Sequence, residues 1–210
     1  MTTRRISVNV GGLWRTSVEL KEEATWYDLK NEINKVIGIS SYCQKLEPND
    51  EDDNKCELEE GDDVFCDWKL PYGDHPLHCA AKNENAKVIR SWLTSGADVN
   101  AVDMFGRTPL IIACLFWKEE CEECVAVLLE FGANAKLIDN YGETALHKFA
   151  KIVDFEKKER AERIINMLIK AKCDLMISNC NGKTFIDILK MNFHHELAKK
   201  YEEWIKEIIE

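Results

Sequence analysis

One short phrase recurs along this chain at nearly constant spacing. Its first copy reads Gly-Asp-His-Pro-Leu-His, and its glycines stand at Gly73, Gly106, Gly142 and Gly182, which are 33, 36 and 40 residues apart. A period in this range predicts a stack of similar supersecondary units, each of which buries its apolar face against the next. Such a stack presents a long surface, so the first functional question is what that surface holds.

The phrase resembles the signature of the ankyrin repeat. Later copies read Gly106-Arg-Thr-Pro-Leu110 and Gly142-Glu-Thr-Ala-Leu-His147, and a second phrase, Ser95-Gly-Ala-Asp98, returns as Phe131-Gly-Ala-Asn134. The resemblance implies an all-α solenoid of about three and a half ankyrin repeats over residues 70–210. The predicted repeats are residues 70–103, 104–139 and 140–179, with a capping repeat at 180–210.

Two later copies depart from the ankyrin pattern. The third copy carries an insertion, Lys151–Glu162, between its two helices, and its second helix resumes at Ile164. The last copy predicts helices over Phe185–Met191 and Glu196–Ile209 but has no second phrase after them. Loss of that phrase is typical of a terminal repeat, because nothing stacks beyond it.

The first seventy residues follow a different pattern. Ile6–Val10 and Thr16–Leu20 alternate apolar and polar side chains, which predicts two strands of a hairpin. Thr25 is a candidate helix N-cap with Asp28 three residues later, and further strand patterns follow the helix. Two strands, a helix and more strands predict a small α+β domain.

Three segments of this domain resemble ubiquitin-like proteins: Val36–Ile39, Gln44–Leu46 and Leu58–Val64. The resemblance implies a β-grasp over residues 1–69, and another small α+β fold is the alternative. No Gly-Gly tail follows the last strand, so conjugation to other proteins is not expected. Because almost no linker precedes Gly73, we expect this domain to dock on the first repeat and cap it.

The apolar patch by which ubiquitin meets its receptors is altered in this chain. The matching positions hold Gly11, Glu47 and Asp67, and burying those carboxylates without partners in an apolar receptor groove would be costly. Trp14 is a candidate replacement anchor, because tryptophan is favoured in binding hot spots. Packing of Trp14 onto the sheet is the equally weighted alternative.

Charge and cysteine content limit the class of partner. The net charge is −10, and residues 1–70 carry 9 Lys/Arg against 16 Asp/Glu. An acidic chain is repelled by phosphate backbones and anionic lipid, so neither nucleic acid nor membrane is expected as a partner. No secretory leader is recognised, and the nine cysteines are odd in number. Reduced thiols in the cytoplasm, or in the nucleus, are therefore expected.

No catalytic constellation is recognised in the sequence. His78 and His147 fill the histidine slot of the repeat, which the resemblance assigns a structural role. Cys121 and Cys124 would supply only half of a zinc site. We expect a chain that is not an enzyme and that has no cofactor and no metal.

The ankyrin resemblance implies that a protein partner contacts the finger tips and the exposed side of each first helix. The finger candidates are Val102, Met104, Phe105, Arg107, Leu137, Asn140, Tyr141, Glu143, Asn179, Asn181 and Lys183. The helix candidates are Lys82, Asn83, Leu115, Phe116 and Lys148. Exposed aromatic side chains at finger tips favour binding, since they would otherwise serve no purpose in the fold. Packing of each ring back on its neighbouring hairpin is the alternative.

We therefore expect a non-catalytic adaptor or scaffold that works as a monomer or as a subunit of a hetero-complex. The ubiquitin-like resemblance suggests ubiquitin–proteasome signalling as its pathway. Two alternatives stay open at this point: a structural subunit of a cytoskeletal or ciliary assembly, and a pathogen effector that mimics host modules.

Overall fold

A computed structural model describes most of the 210 residues. The described ranges are 3–10, 14–21, 24–37, 44–47, 63–68, 76–83, 85–116, 121–153 and 158–209. The chain divides into two compact units, Met1–Asp98 and Val99–Glu210. The boundary predicted between residues 69 and 70 lies outside the described ranges and stays a prediction.

The first unit begins with a four-stranded sheet. Its strands are β1 (Thr3–Val10), β2 (Trp14–Lys21), β3 (Gln44–Glu47) and β4 (Asp63–Trp68), and helix α1 (Trp26–Ile37) follows β2. The order across the sheet is β2-β1-β4-β3. Strand β1 is parallel to β4, and the two outer pairs are antiparallel. The predicted succession of two strands, a helix and further strands is present.

Side chains of the sheet and of α1 fill one core. Ile6, Val8 and Val10 alternate along β1 and are fully buried, as the period-two pattern predicts. On α1, Leu29 and Ile33 lie four residues apart on one face and are also fully buried. Each such side chain contributes about 2 kcal/mol by leaving water.

The N-terminus of α1 carries the predicted cap. The Thr25 amide and hydroxyl both donate to Asp28 Oδ2, at 2.8 and 2.9 Å, and the Asp28 amide donates back to Thr25 Oγ1 at 3.2 Å. The hydrogen bonds from Thr25 hold the pKa of the Asp28 carboxyl below its usual value. The cap satisfies backbone donors that the first turn of a helix leaves unpaired.

The first helix pair, α2 (Pro76–Lys82) and α3 (Ala86–Thr94), belongs to the same unit as the sheet. The buried indole of Trp92, on α3, donates its Nε1 hydrogen to the carbonyl of Ile37 at 3.0 Å. Ile37 is the last residue of α1, so the bond joins the helix of the sheet domain to the first helix pair. This contact supports the expected docking of the amino-terminal domain on the first repeat.

The second unit is helical, and three pairs of helices account for its described helices. They are α4 (Pro109–Leu115), α5 (Cys121–Glu130), α6 (Ala145–Ile152), α7 (Lys158–Lys170), α8 (Phe185–Met191) and α9 (His195–Ile209). Helix α8 has the predicted bounds, and α9 begins one residue earlier than predicted.

Helix α7 corrects the insertion predicted between the helices of the third copy. It begins at Lys158, six residues before Ile164, while α6 continues to Ile152. Most of the described insertion is therefore helical. The extra turn makes ion pairs with neighbouring helices: Lys158 contacts Glu196 at 2.6 Å, and Arg163 contacts Glu122 at 2.7 Å.

Candidate functional site

Each turn between successive helix pairs, here called a finger, is organised by one short polar side chain. In the first finger, Asp103 Oδ1 accepts the amide hydrogens of Phe105 and Arg107, at 2.9 and 2.8 Å. Gly106 follows with φ at 73°, a conformation that favours glycine. The same two bonds form at Asp139 and at Asn179 in the second and third fingers. An Asp or Asn three residues before the repeat glycine therefore builds the turn.

Hydrogen bonds hold the three fingers in register. The Asn140 amide donates to the Phe105 carbonyl at 2.9 Å, and its side-chain amide donates to the Met104 carbonyl at 3.1 Å. In the same way the Cys180 amide donates to the Tyr141 carbonyl at 3.0 Å. Equivalent positions of successive fingers consequently lie side by side.

A buried ion cluster lies behind the second finger. Lys148 Nζ contacts Asp139 Oδ2 at 2.5 Å and Glu143 Oε2 at 2.6 Å, and Lys151 Nζ contacts Glu143 Oε1 at 2.5 Å. Asn179, from the third finger, donates its side-chain amide to Glu143 Oε1 at 2.9 Å. The cluster therefore fastens the second finger both to α6 and to the third finger.

The ionisation of this cluster follows from its contacts. Burial by itself would raise the pKa of Glu143, but hydrogen bonds from Lys148, Lys151 and Asn179 outweigh that effect and lower the pKa to about 2. Burial would likewise lower the pKa of Lys148, yet Asp139 and Glu143 raise it. Both partners are therefore charged at neutral pH, and they compensate each other inside the fold.

The repeat histidine is structural, as the resemblance implied. His147 Nδ1 lies 2.8 Å from Thr144 Oγ1, and the Thr144 amide donates to that nitrogen at 3.2 Å. The other ring nitrogen lies 3.2 Å from the Lys183 carbonyl of the next finger. Burial lowers the pKa of His147. A neutral imidazole has one acceptor and one donor nitrogen, which suits Nδ1 as the acceptor from Thr144 and Nε2 as the donor to the Lys183 carbonyl.

The predicted partner-binding residues differ in exposure, and their described side chains are exposed, half-buried or buried. Exposed side chains belong to Lys82, Asn83, Val102, Met104, Asn140, Tyr141, Asn181 and Lys183. Half-buried side chains belong to Phe105, Arg107, Leu115, Phe116 and Leu137. The side chain of Trp14 lies outside the described part of the chain.

Three residues that were predicted to contact a partner are buried, so the prediction is wrong for them. Glu143 is only 3% exposed, and Lys148 and Asn179 are buried with it in the ion cluster. Their polar atoms bind each other, so they stabilise the fingers and do not face a partner. The repeat pattern gave their positions correctly, but it carries no information on which neighbouring charges they meet.

Arg107 is also held by its own finger. Its guanidinium contacts Asp103 Oδ2 at 2.6 Å and lies over the Phe105 ring, 4.6 Å from the ring centre. Both partners orient the planar group, so much of its charge is satisfied within the turn.

Among the exposed finger residues that the sequence reasoning missed are Lys136, Ile138 and Met176. Ile138 stands 36 residues after Val102 and Met176 stands 40 residues after Lys136, at equivalent positions of successive fingers. The signal that would have found Ile138 is the alignment of finger against finger, since Val102 at the equivalent position is exposed as well.

Four described cysteines of the second unit, Cys114, Cys121, Cys124 and Cys173, are buried. Cys114, Cys121 and Cys124 are fully buried, and Cys121 Sγ donates to the Ala113 carbonyl at 3.1 Å. Burial, assisted by Cys121 and Cys173, raises the pKa of the Cys114 thiol well above its usual value. Across the described ranges, no cluster of His, Cys, Asp or Glu is suited to bind a metal ion. The helices described there also include none long and apolar enough to span a membrane.

Comparison with known proteins agrees with this architecture. The family model for ankyrin repeats matches residues 57–139 and 77–178 in overlapping copies. An ankyrin repeat protein of Rickettsia bellii is 33% identical over 137 residues, which is 60% of this chain and 56% of that protein. The E3 ubiquitin-protein ligase KEG of Arabidopsis thaliana is 29% identical over 57% of this chain and 7% of its own length. Inversin of Danio rerio is 35% identical over 39% of this chain and 8% of its own length. The chain therefore spans between 7% and 56% of these relatives.

Proposed function

The chain belongs to the ankyrin repeat family, and from that premise we propose that it is a non-catalytic adaptor that binds a protein partner through its fingers. Ankyrin repeats imply a role in protein–protein interaction. We propose in addition that the fingers make this contact and that binding the partner is the function of the chain.

The observation that carries the proposal is the concentration of exposed apolar side chains on the fingers. Eight large apolar residues are exposed in the described part of the chain, and five of them are finger residues. These five are Val102, Met104, Ile138, Tyr141 and Met176, each between 46% and 58% exposed. Apolar side chains grouped on one surface favour binding, because their removal from water is gained only in the complex.

The rigidity of the fingers supports the same proposal. The Tyr141 ring lies 5.5 Å from the Lys148 ammonium, which is itself fixed by Asp139 and Glu143. A surface that is already ordered loses little conformational entropy when a partner binds. The buried cluster thus contributes to binding indirectly, by holding the finger tips in place.

We further propose that the amino-terminal domain is a ubiquitin-like β-grasp. The sheet order β2-β1-β4-β3, with central parallel strands and a helix after the hairpin, supports this identification. Relatives named as ubiquitin ligases, KEG of Arabidopsis and XBOS34 of Oryza sativa, support a link to ubiquitin–proteasome signalling. Trp14 is retained as the proposed anchor of this domain.

We also propose that the chain is not an enzyme and that it works in the cytoplasm. The buried polar residues of the fingers bind one another, which supports a structural use of those groups. Cys114, Cys121, Cys124 and Cys173 are buried free thiols, and such thiols persist where the environment is reducing.

The experiment compares two double variants that remove similar exposed apolar surface. The test variant is Met104→Ala with Tyr141→Ala, and the control is Met191→Ala with Phe193→Ala, whose exposed side chains stand at the last residue of α8 and two residues beyond it. Immobilised full-length chains capture proteins from lysate, and quantitative mass spectrometry compares the captured sets.

We expect proteins that the parent and the control chains capture equally but that the finger variant loses by about tenfold or more. Thermal unfolding of all three chains should nearly coincide, since the replaced side chains are exposed. Equal losses in both variants, or no loss in the finger variant, would contradict binding through the fingers.

A further inference from the structure

The exposed charges of the fingers differ in sign from the charge of the whole chain. The chain carries a net charge of −10. Yet the carboxylates of Asp103, Asp139 and Glu143 are buried, and each is neutralised by a cation of the same or the following helix or turn. What remains exposed on the second and third fingers is chiefly basic.

The surface in question, here called the finger face, combines those cations with the exposed apolar side chains. It consists of Val102, Met104, Lys136, Ile138, Tyr141, Met176 and Lys183. One exposed carboxylate, Asp174, stands at the start of the third finger, where its Oδ1 accepts the Met176 amide at 2.8 Å. Within the second unit the finger face therefore carries two lysines against one exposed carboxylate that already serves its own turn, whereas Asp98, at the equivalent position of the first finger, is exposed in the first unit.

Register between fingers places an apolar row beside a row that holds both a cation and an apolar side chain. The bonds from Asn140 to Phe105 and from Cys180 to Tyr141 align equivalent positions. Val102 and Ile138 thus share one row, and Lys136 and Met176 share another. A bound chain that crosses the fingers along the first row meets two apolar side chains, and along the second it meets one cation and one apolar side chain.

We propose that the finger face binds a polypeptide segment that carries both carboxylates and large apolar side chains. The inference rests on the proposed function and adds the chemistry of the partner. Carboxylates of such a segment would pair with Lys136 and Lys183, while its apolar side chains would cover Met104, Ile138 and Tyr141.

Other segments fit this surface less well. A basic segment would bring like charges against Lys136 and Lys183, which costs free energy and slows association. An uncharged apolar segment would remove the two ammonium groups from water without giving them a partner. A wholly polar acidic segment would leave the exposed apolar rows in water and gain only screened ion pairs.

The first test is a selection. A random-peptide library displayed on phage is enriched on the full immobilised chain, and the same library is enriched separately on the Met104→Ala, Tyr141→Ala variant. We expect the peptides specific for the parent chain to be rich in Asp and Glu together with Leu, Ile, Phe, Tyr or Trp, and poor in Lys and Arg.

The second test uses one enriched peptide, synthesised with a fluorescent label and titrated with each chain at low and at physiological salt. Lys136→Gln and Lys183→Gln should each raise Kd by about two- to five-fold and reduce its dependence on salt. Lys170→Gln and Lys199→Gln remove exposed lysines of α7 and α9 and should leave Kd unchanged.

The outcomes separate this inference from the function on which it rests. Parent-specific peptides that are basic or uncharged would overturn the acidic partner and leave the finger site standing. Acidic peptides whose Kd is insensitive to Lys136→Gln and Lys183→Gln would overturn it as well. A library that yields no peptide, or peptides that bind the finger variant equally, would contradict both.

Discussion

Two residues other than glycine adopt a left-handed backbone in the described chain. Lys172 has φ at 62° and Phe193 has φ at 64°, and each follows the last turn of a helix. The Lys172 amide donates to the Ile169 carbonyl at 2.8 Å, as the Gly132 amide does to the Leu129 carbonyl at 3.0 Å. The same helix-ending geometry therefore holds a glycine in one repeat and a side chain with a Cβ in another, where it costs about 1 kcal/mol.

We predict that Lys172→Gly and Phe193→Gly each raise the free energy of unfolding by about 0.5–1 kcal/mol. The relief of the left-handed backbone should exceed the extra entropy that glycine gives the unfolded chain. Urea denaturation followed by circular dichroism measures the change. Lys199→Gly, at an exposed position inside α9, is the control and should lower stability by about 1 kcal/mol. A loss of stability in both test variants would show that the left-handed backbone is not strained.

At the scale of the element, Glu143 fastens the second finger to α6. Its carboxylate pairs with the ammonium groups of Lys148 and Lys151, both on α6, and accepts a hydrogen bond from the side chain of Asn179 in the third finger. A buried ion pair that loses one partner leaves the other charge without compensation, which is more costly than the loss of an exposed pair.

We predict that Glu143→Gln destabilises the folded chain by about 3 kcal/mol at neutral pH. The folded pKa of about 2 lies below the ordinary 4.5, so the ionised carboxylate stabilises the fold above pH 4.5. That stabilisation is lost as the pH falls from 4.5 towards 2. The difference in unfolding free energy between the parent and the variant should therefore shrink over this interval, as urea titrations at several pH values would measure.

Glu122→Gln is the control for this prediction. Glu122 pairs with Arg163 at 2.7 Å on the surface, where solvent screens the pair, so its loss should cost less than about 1 kcal/mol. A Glu143 variant that loses no more stability than the Glu122 variant would contradict a role for the buried cluster in holding the finger.

Local signals in the sequence predicted some of these elements well. The Thr25–Asp28 cap and the bounds of α8 follow from residues close together in the chain, because capping bonds and helix periodicity are local. The early start of α7 at Lys158 and the burial of Glu143 were missed. Lys158 pairs with Glu196, 38 residues away, and Glu143 binds Asn179, 36 residues away, as well as the nearer Lys148 and Lys151. No local pattern states which of these groups the fold will bring together.

At the scale of the molecule, the first unit joins two kinds of architecture. The sheet domain and the first helix pair share the bond from Trp92 Nε1 to the Ile37 carbonyl, and both residues are buried. The last carbonyls of a helix have no partner within the helix. Trp92 thus satisfies a helix end of one module from inside the other, and we expect this bond to couple the folding of the two.

We predict that Trp92→Phe lowers the stability of the whole first unit by about 2–3 kcal/mol, because it removes this bond and leaves a cavity beside α1. Hydrogen exchange followed by mass spectrometry should show peptides from β1 and from α3 losing protection together. Trp204→Phe, which alters a partly exposed ring on α9, should leave both peptides unchanged. If α3 loses protection while β1 retains it, the sheet domain folds independently of the first helix pair, and it cannot be the cap that the first repeat requires.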